Sequence, residues 1–165
     1  MSIYFENETD EQLGFDYEKE LASVIKEALR QEECPYETEV TVILTDEEGI
    51  RHLNREYRGI DKVTDVLSFP MLDYEMPSDF SCVDEESVMQ FNPDSGELIL
   101  GDIVLCVARA RKQALEYGHT LFREIAFLTV HSILHLCGYD HIKEEERLQM
   151  EEQQKQILNH LGITR

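Results

Sequence analysis

His131-Ser132-Ile133-Leu134-His135-Leu136-Cys137-Gly138-Tyr139-Asp140-His141 puts three imidazoles and a glycine at a spacing that one tetrahedral metal ion can use. An α-helix turns once per ~3.6 residues, so His131 and His135 project from one face about a turn apart. Gly138 is placed to end that helix in the left-handed conformation and reverse the chain, which returns His141 to the same point. A helix that simply continued would have no use for a glycine there. Three nitrogen ligands leave one position open, the pattern of catalytic zinc, whereas structural zinc closes all four positions, usually with cysteine. The expectation is one Zn2+ per chain held by His131, His135 and His141. Imidazole also accepts copper, iron or nickel, and spacing does not choose among them.

The same spacing occurs in zinc peptidases of the H-E-x-x-H-x-x-G-x-x-H type, where a glutamate after the first histidine is the general base. Here that position is Ser132. A serine is no carboxylate base near neutral pH, so peptide hydrolysis becomes the lesser alternative. Cys137 lies two residues beyond His135, and two helical steps turn it about 160° away, which points to core packing rather than ligation.

Outward from the histidines, residues 121–136 form a nearly apolar run too short for a bilayer, interrupted by Arg123 and Glu124, and read as a buried helix. Before it, Glu97 to Val107 reads as a strand containing Gly101, and 107–117 as a helix. Val66 to Phe69 is a short buried strand closed by Pro70. Thr45 with Glu48 has the capping-box pattern, and Ile50, Leu53, Asn54 and Tyr57 carry a helical stripe to Gly59, leaving Arg58 at the helix end. Glu37 to Leu44 alternates as a strand, Asp16 to Arg30 as a helix, and Ile3 to Glu6 as a first strand. A last helix covers 143–161. The fold class is α+β: a small mixed sheet of about four strands with about five helices, in a single domain spanning 1–165.

Residues 71–97 carry eight carboxylates and neither lysine nor arginine. This acidic insertion, about 71–97, retains Met71, Tyr74, Met76, Phe80 and Phe91, enough apolar content to pack in part. A lid over a substrate cleft is its functional reading.

With 165 residues, 42% of them apolar, the chain can bury one ordinary core. The first residues, Met1 to Glu6, lack the basic patch and apolar run of a signal peptide, so a cytoplasmic location is expected. Cys34, Cys82, Cys106 and Cys137 form no C-x-x-C pair and are expected to stay reduced. The net charge of −20 opposes nucleic-acid binding in bulk. Its distribution is uneven: from Arg51 to Ser68 four bases face three acids, and from Gly101 to Arg123 Arg109, Arg111, Lys112 and Arg123 outnumber Asp102 and Glu116. The acid elsewhere reads as solvated, solubilising surface.

Three separated motifs, Thr64-Asp65-Val66-Leu67-Ser68-Phe69-Pro70, Gly101-Asp102-Ile103 and His131 to His141, make the chain resemble the YbeY family of bacterial metal-dependent endoribonucleases. The likeness extends through Asn54, Tyr57, Arg58 and Asp61, and through Ala108, Gln113-Ala114 and Tyr117-Gly118-His119. It implies zinc on the three histidines and a metal-dependent endoribonuclease acting on single-stranded RNA. The implied setting is ribosomal RNA maturation, including 16S rRNA 3' end processing, and small ribosomal subunit quality control. Ribosomal RNA and the small subunit are the implied partners, with neither DNA nor membrane. Ser132 and Cys137 stand where the family commonly has a glycine and an apolar residue, and the insertion is a larger departure.

Arg58 and His131 are the catalytic candidates: the arginine fork to stabilise charge on a scissile phosphate, the histidine through the metal. Asp65 and Asp140 are candidates to orient an imidazole, or else turn caps. Ser68 and His119 are possible bases, His119 equally a helix-start residue outside the site. A ribosome-assembly binding protein whose metal mainly secures the fold is the alternative of another class.

Overall fold

A computed structural model describes residues 1–164. The element order is β1 (Ser2–Asn7), α1 (Tyr17–Gln31), β2 (Thr38–Thr45), α2 (Glu47–Arg58), β3 (Val66–Pro70), β4 (Leu98–Cys106), α3 (Val107–Tyr117), α4 (Leu121–Leu136) and α5 (Glu144–His160). The strands form one sheet in the order β1-β2-β4-β3, with β1-β2 and β2-β4 parallel and β3 antiparallel on β4. This is the expected α+β arrangement of four strands and five helices.

Alternation along the strands divides the core. Val40, Val42 and Leu44 of β2 face the main core with Leu21, Val24, Ile25 and Ala28 of α1 and the apolar side of α4. Ile50 and Leu53 of α2 cover the opposite face over Leu67, Val104 and Cys106. In β4 the inward residues change parity, from Leu98 and Leu100 to Ile103 and Leu105. The register explains it: Glu39 pairs with Ile99 but Val40 with Gly101, so one extra residue is bulged and both halves of β4 point into the same core. Gly101 sits at φ +143°, and a Cβ there would lie 2.1 Å from the Phe69 carbonyl oxygen and 3.0 Å from Leu136 Cδ2. The missing side chain is what lets β3 and the end of α4 close on this point.

α2 starts one residue later than the capping-box pattern suggests. Asp46, not Thr45, is the cap: its carboxylate accepts from the Gly49 N–H at 2.8 Å, while Thr45 is buried as the last residue of β2. The acidic segment after Pro70 has little regular structure, a single 3-10 turn at Phe80–Cys82 and one bridge from Phe91 to Leu98. Its first half is nonetheless anchored. Leu72 and Phe80 enter the core, whereas Val88 and Met89 stand in solvent.

Candidate metal centre

From Glu124 to Cys137 every residue is buried except Phe127, His131 and His135, which recur at i, i+4 and i+8. α4 therefore passes through the molecule as a core helix with one stripe open to a cleft of about 830 Å³, and the two histidines lie on that stripe. The helix starts at Thr120, whose hydroxyl accepts from the Arg123 N–H. It ends where expected: Gly138 has φ +96°, its N–H reaches the His135 carbonyl, and the Tyr139 N–H reaches Leu134. The turn brings His141 back, with ring centroids 5.1 Å from His135 and 5.9 Å from His131.

Donor chemistry can be read for His135. Its Nδ1 lies 2.9 Å from the Tyr139 carbonyl oxygen, which can only accept, so Nδ1 carries the proton and Nε2 the lone pair. That lone pair faces His131 Nε2 at 3.2 Å. A tetrahedral zinc with bonds of ~2.0–2.1 Å separates its ligand atoms by about 3.3 Å, so the pair already has the spacing of two ligands on one ion. One ligating atom from each of the three histidines lies within 4.8 Å of the others. Burial, with the neighbouring His131, pushes the His135 pKa down to about 4, so the ring is in the neutral, metal-binding form at pH 7. The residues present thus fit a metal.

The loop carrying His141 is braced from beneath. The Tyr139 hydroxyl donates to the buried Glu32 carboxylate at 2.9 Å, and Ser78 donates its hydroxyl to Glu32 and its N–H to the Cys137 carbonyl at 2.7 Å. Tyr74 lies over Gly138, where a Cβ would meet the tyrosine Cγ at 2.6 Å. Tyr74 and Ser78 belong to the acidic segment, so its first half straps the metal loop in place. Cys137 is fully buried and burial raises its thiol pKa well above normal, consistent with packing.

Arg58 lines the same cleft from the end of α2. Gly59, at φ +69°, terminates α2 directly after it. The guanidinium is exposed, with Nη1 3.5 Å from Asn54 Oδ1, and the buried Asn54 donates to the Lys62 carbonyl at 2.9 Å. Ser68 and Asp65 also line the cleft. Ser68 bonds the fully buried Ser132 hydroxyl, so the residue after the first histidine is engaged with the sheet. Asp65 accepts from the Val66 N–H at 2.7 Å and Asp140 from the His141 N–H at 2.7 Å, both in the manner of turn caps. His119 lies outside the cleft lining and pairs with the buried Glu124 at 2.5 Å.

Arg147 and Gln154, cleft residues on α5, escaped the sequence reading. Arg147 of α5 is paired with Glu151 at 2.9 Å. Gln154, buried on α5, places Oε1 3.4 Å from His131 Nδ1. The signal for Gln154 was its position among Met150, Ile157 and Leu158, a polar residue on an otherwise apolar stripe.

Similarity to known proteins agrees with this geometry. The family model described as "Endoribonuclease YbeY" matches residues 3–162. Proteins named endoribonuclease YbeY from Agathobacter rectalis and Lachnospira eligens are 53% and 52% identical, each over all of both chains. The first alignment spans 165 residues, so the segment after Pro70 is no net addition relative to that protein. A solution structure of a Thermotoga maritima protein superposes with a TM-score of 0.55 at 25% identity, covering 96% of this chain and 91% of the other. The motifs, the mixed sheet and the histidine triad converge with these matches on one assignment: the chain belongs to the YbeY family.

Proposed function

We propose that this protein is a metal-dependent endoribonuclease that cuts single-stranded RNA during ribosomal RNA maturation, at the 16S rRNA 3' end, and in small-subunit quality control. The observation that carries this reading is one cleft holding both the histidine triad and Arg58 in a member of an endoribonuclease family. His131, His135 and His141 are the ligands of a single Zn2+. When bound, zinc supplies an acidified water, with pKa lowered towards ~7, or polarises a phosphoryl oxygen.

The chain's own residues do the rest. Arg58 engages the scissile phosphate through its planar fork and stabilises the charge that develops there. Its exposure leaves the fork available to RNA, and Asn54 Oδ1 lies 3.5 Å from one of its end nitrogens, Nη1. Among the described residues no helix is long and apolar enough to cross a membrane, and the proposed setting is the cytoplasm, on the small ribosomal subunit. Ser132, buried and bonded to Ser68, provides no peptidase base, which disfavours the zinc-peptidase alternative.

The test is incubation of a 16S rRNA precursor with zinc-loaded parent, His131→Ala and Arg58→Glu proteins. Cleavage by the parent and a loss of at least ~10²-fold in both variants is expected from removing a charge-stabilising group or the metal. Cleavage that survives both changes belongs to a contaminating nuclease and overturns the assignment. A folded, metal-free His131→Ala protein that still supports subunit assembly favours the assembly-factor reading instead.

A further inference from the structure

Gln154 reaches the metal centre from α5, an element that contributes no ligand. It is buried, with Oε1 3.4 Å from His131 Nδ1 and Nε2 3.4 Å from the Phe127 carbonyl oxygen. Phe127 lies one helical turn before His131 on α4. A carbonyl oxygen only accepts, so the amide must turn its NH2 towards Phe127 and its oxygen towards the imidazole. The reverse orientation would set two oxygens against each other in a buried pocket. An acceptor facing Nδ1 selects the tautomer with the proton on Nδ1. Nε2 is then left with its lone pair, and that is the atom 3.2 Å from His135 Nε2.

The two rings therefore receive the same instruction from different sources, His135 from the Tyr139 carbonyl and His131 from a side chain 23 residues away. A buried amide is costly unless its groups are satisfied, and an apolar residue at this place would complete the stripe of Met150, Ile157 and Leu158. Retaining glutamine there has a physical return only through what it bonds.

We propose that Gln154 is a positioning residue for the metal centre: it fixes the tautomer and orientation of His131 so that Nε2 is presented, pre-aimed, beside His135 Nε2. This deepens the metal reading above and rests on it. Outer partners of this kind change metal affinity by roughly 10–100-fold.

The first measurement uses the unaltered protein loaded with Zn2+, because without an ion two Nε2 lone pairs 3.2 Å apart would repel. Imidazole nitrogen chemical shifts in 15N-labelled protein at pH 8 should show His131 bound to zinc through Nε2 and protonated at Nδ1; zinc bound through Nδ1 overturns the proposal. The second is competition for Zn2+ against a chromophoric chelator. Gln154→Leu should weaken zinc binding roughly 10–100-fold, while its metal-free form unfolds at or above the parent's temperature. Gln154→Glu keeps the acceptor at Nδ1 but sets its second oxygen against the Phe127 carbonyl, so it should bind zinc more tightly than Gln154→Leu while unfolding below the parent. Equal weakening in the leucine and glutamate variants overturns the proposal, since it assigns the role to the amide's NH2 and its packing. Should Gln154→Leu not fold, the parent tautomer still decides. A parent that binds no zinc defeats the metal assignment itself, whereas one that binds zinc through His131 Nδ1 defeats only this proposal.

Discussion

The two walls of the cleft are built on opposite plans. On the histidine wall, His131 and His135 stand on a core helix, His135 and His131 each meet an oxygen at Nδ1, and the loop bearing His141 is tied through Tyr139, Glu32 and Ser78. On the arginine wall, Arg58 ends a helix at an exposed position and has a 3.5 Å contact to Asn54. A metal gains affinity when its ligands need no reorganisation, because ordering free side chains costs about 0.5–1.5 kcal/mol each. An RNA phosphate arrives in varied conformations, and a long flexible side chain on a fixed root can follow it. On the proposed reading, the first plan suits a metal ion and the second a phosphate.

The largest effect should come from breaking the rigid wall at its pivot. Gly138→Ala places a Cβ 2.6 Å from Tyr74 Cγ at φ +96°, combining a clash with a left-handed backbone. We expect a loss of roughly 2–5 kcal/mol in urea unfolding, with zinc content falling because His141 is displaced. Adding Tyr74→Ala should recover the clash portion and leave the backbone portion. Independent, additive losses for the two substitutions would refute the idea that the acidic segment clamps this turn.

Next is the pliable wall. Arg58→Lys retains charge but not the fork, and RNA cleavage should fall by about 10²-fold with zinc affinity and unfolding midpoint unchanged. A change in zinc affinity would show that the walls are mechanically coupled. Asn54→Ala should be smaller in cleavage and visible in stability. It removes the buried side chain that donates to the Lys62 carbonyl and faces the Arg58 guanidinium, at about 1–3 kcal/mol.

The sequence alone reveals these walls unequally. All four strands and five helices are anticipated along the sequence, β2, α1 and α2 by their periodicity and the rest by apolar runs and breakers, and the triad is visible because its members lie within one turn and one reversal of each other. The strap of Ser78 and Tyr74 and the partner Glu32 are not, since Ser78 meets Cys137 from 59 residues away along the chain and Glu32 meets Tyr139 from 107, by contacts no local pattern encodes. Gln154 lies between these cases. Its place on an apolar stripe marks it as unusual, but only the folded contact with His131 names its role. The bulge at Gly101 was half legible: the glycine stood out inside a strand, whereas the parity change that requires it emerges only from the register. The capping position went to Asp46 because Thr45 is drawn into β2, a tertiary demand that overrides the local motif.

The smallest effect, a pH slope, separates the walls without any ion. In the metal-free protein His135 is held near pKa 4 by burial and by His131, against ~6.5 when unfolded. Between these values the unfolded chain binds more protons than the folded one, so stability is flat above about pH 6.5, falls as pH drops towards about 4, and levels below. Urea midpoints of chelator-treated protein at pH 7.5, 6 and 5 should decline more steeply for the parent than for His135→Gln, which cannot titrate. Arg58→Lys should follow the parent, because it exchanges one cationic side chain for another and leaves His135 untouched. An unchanged slope in His135→Gln would mean that the ring is not desolvated as its partners imply, and the rigid wall would lose its claim to preorganisation.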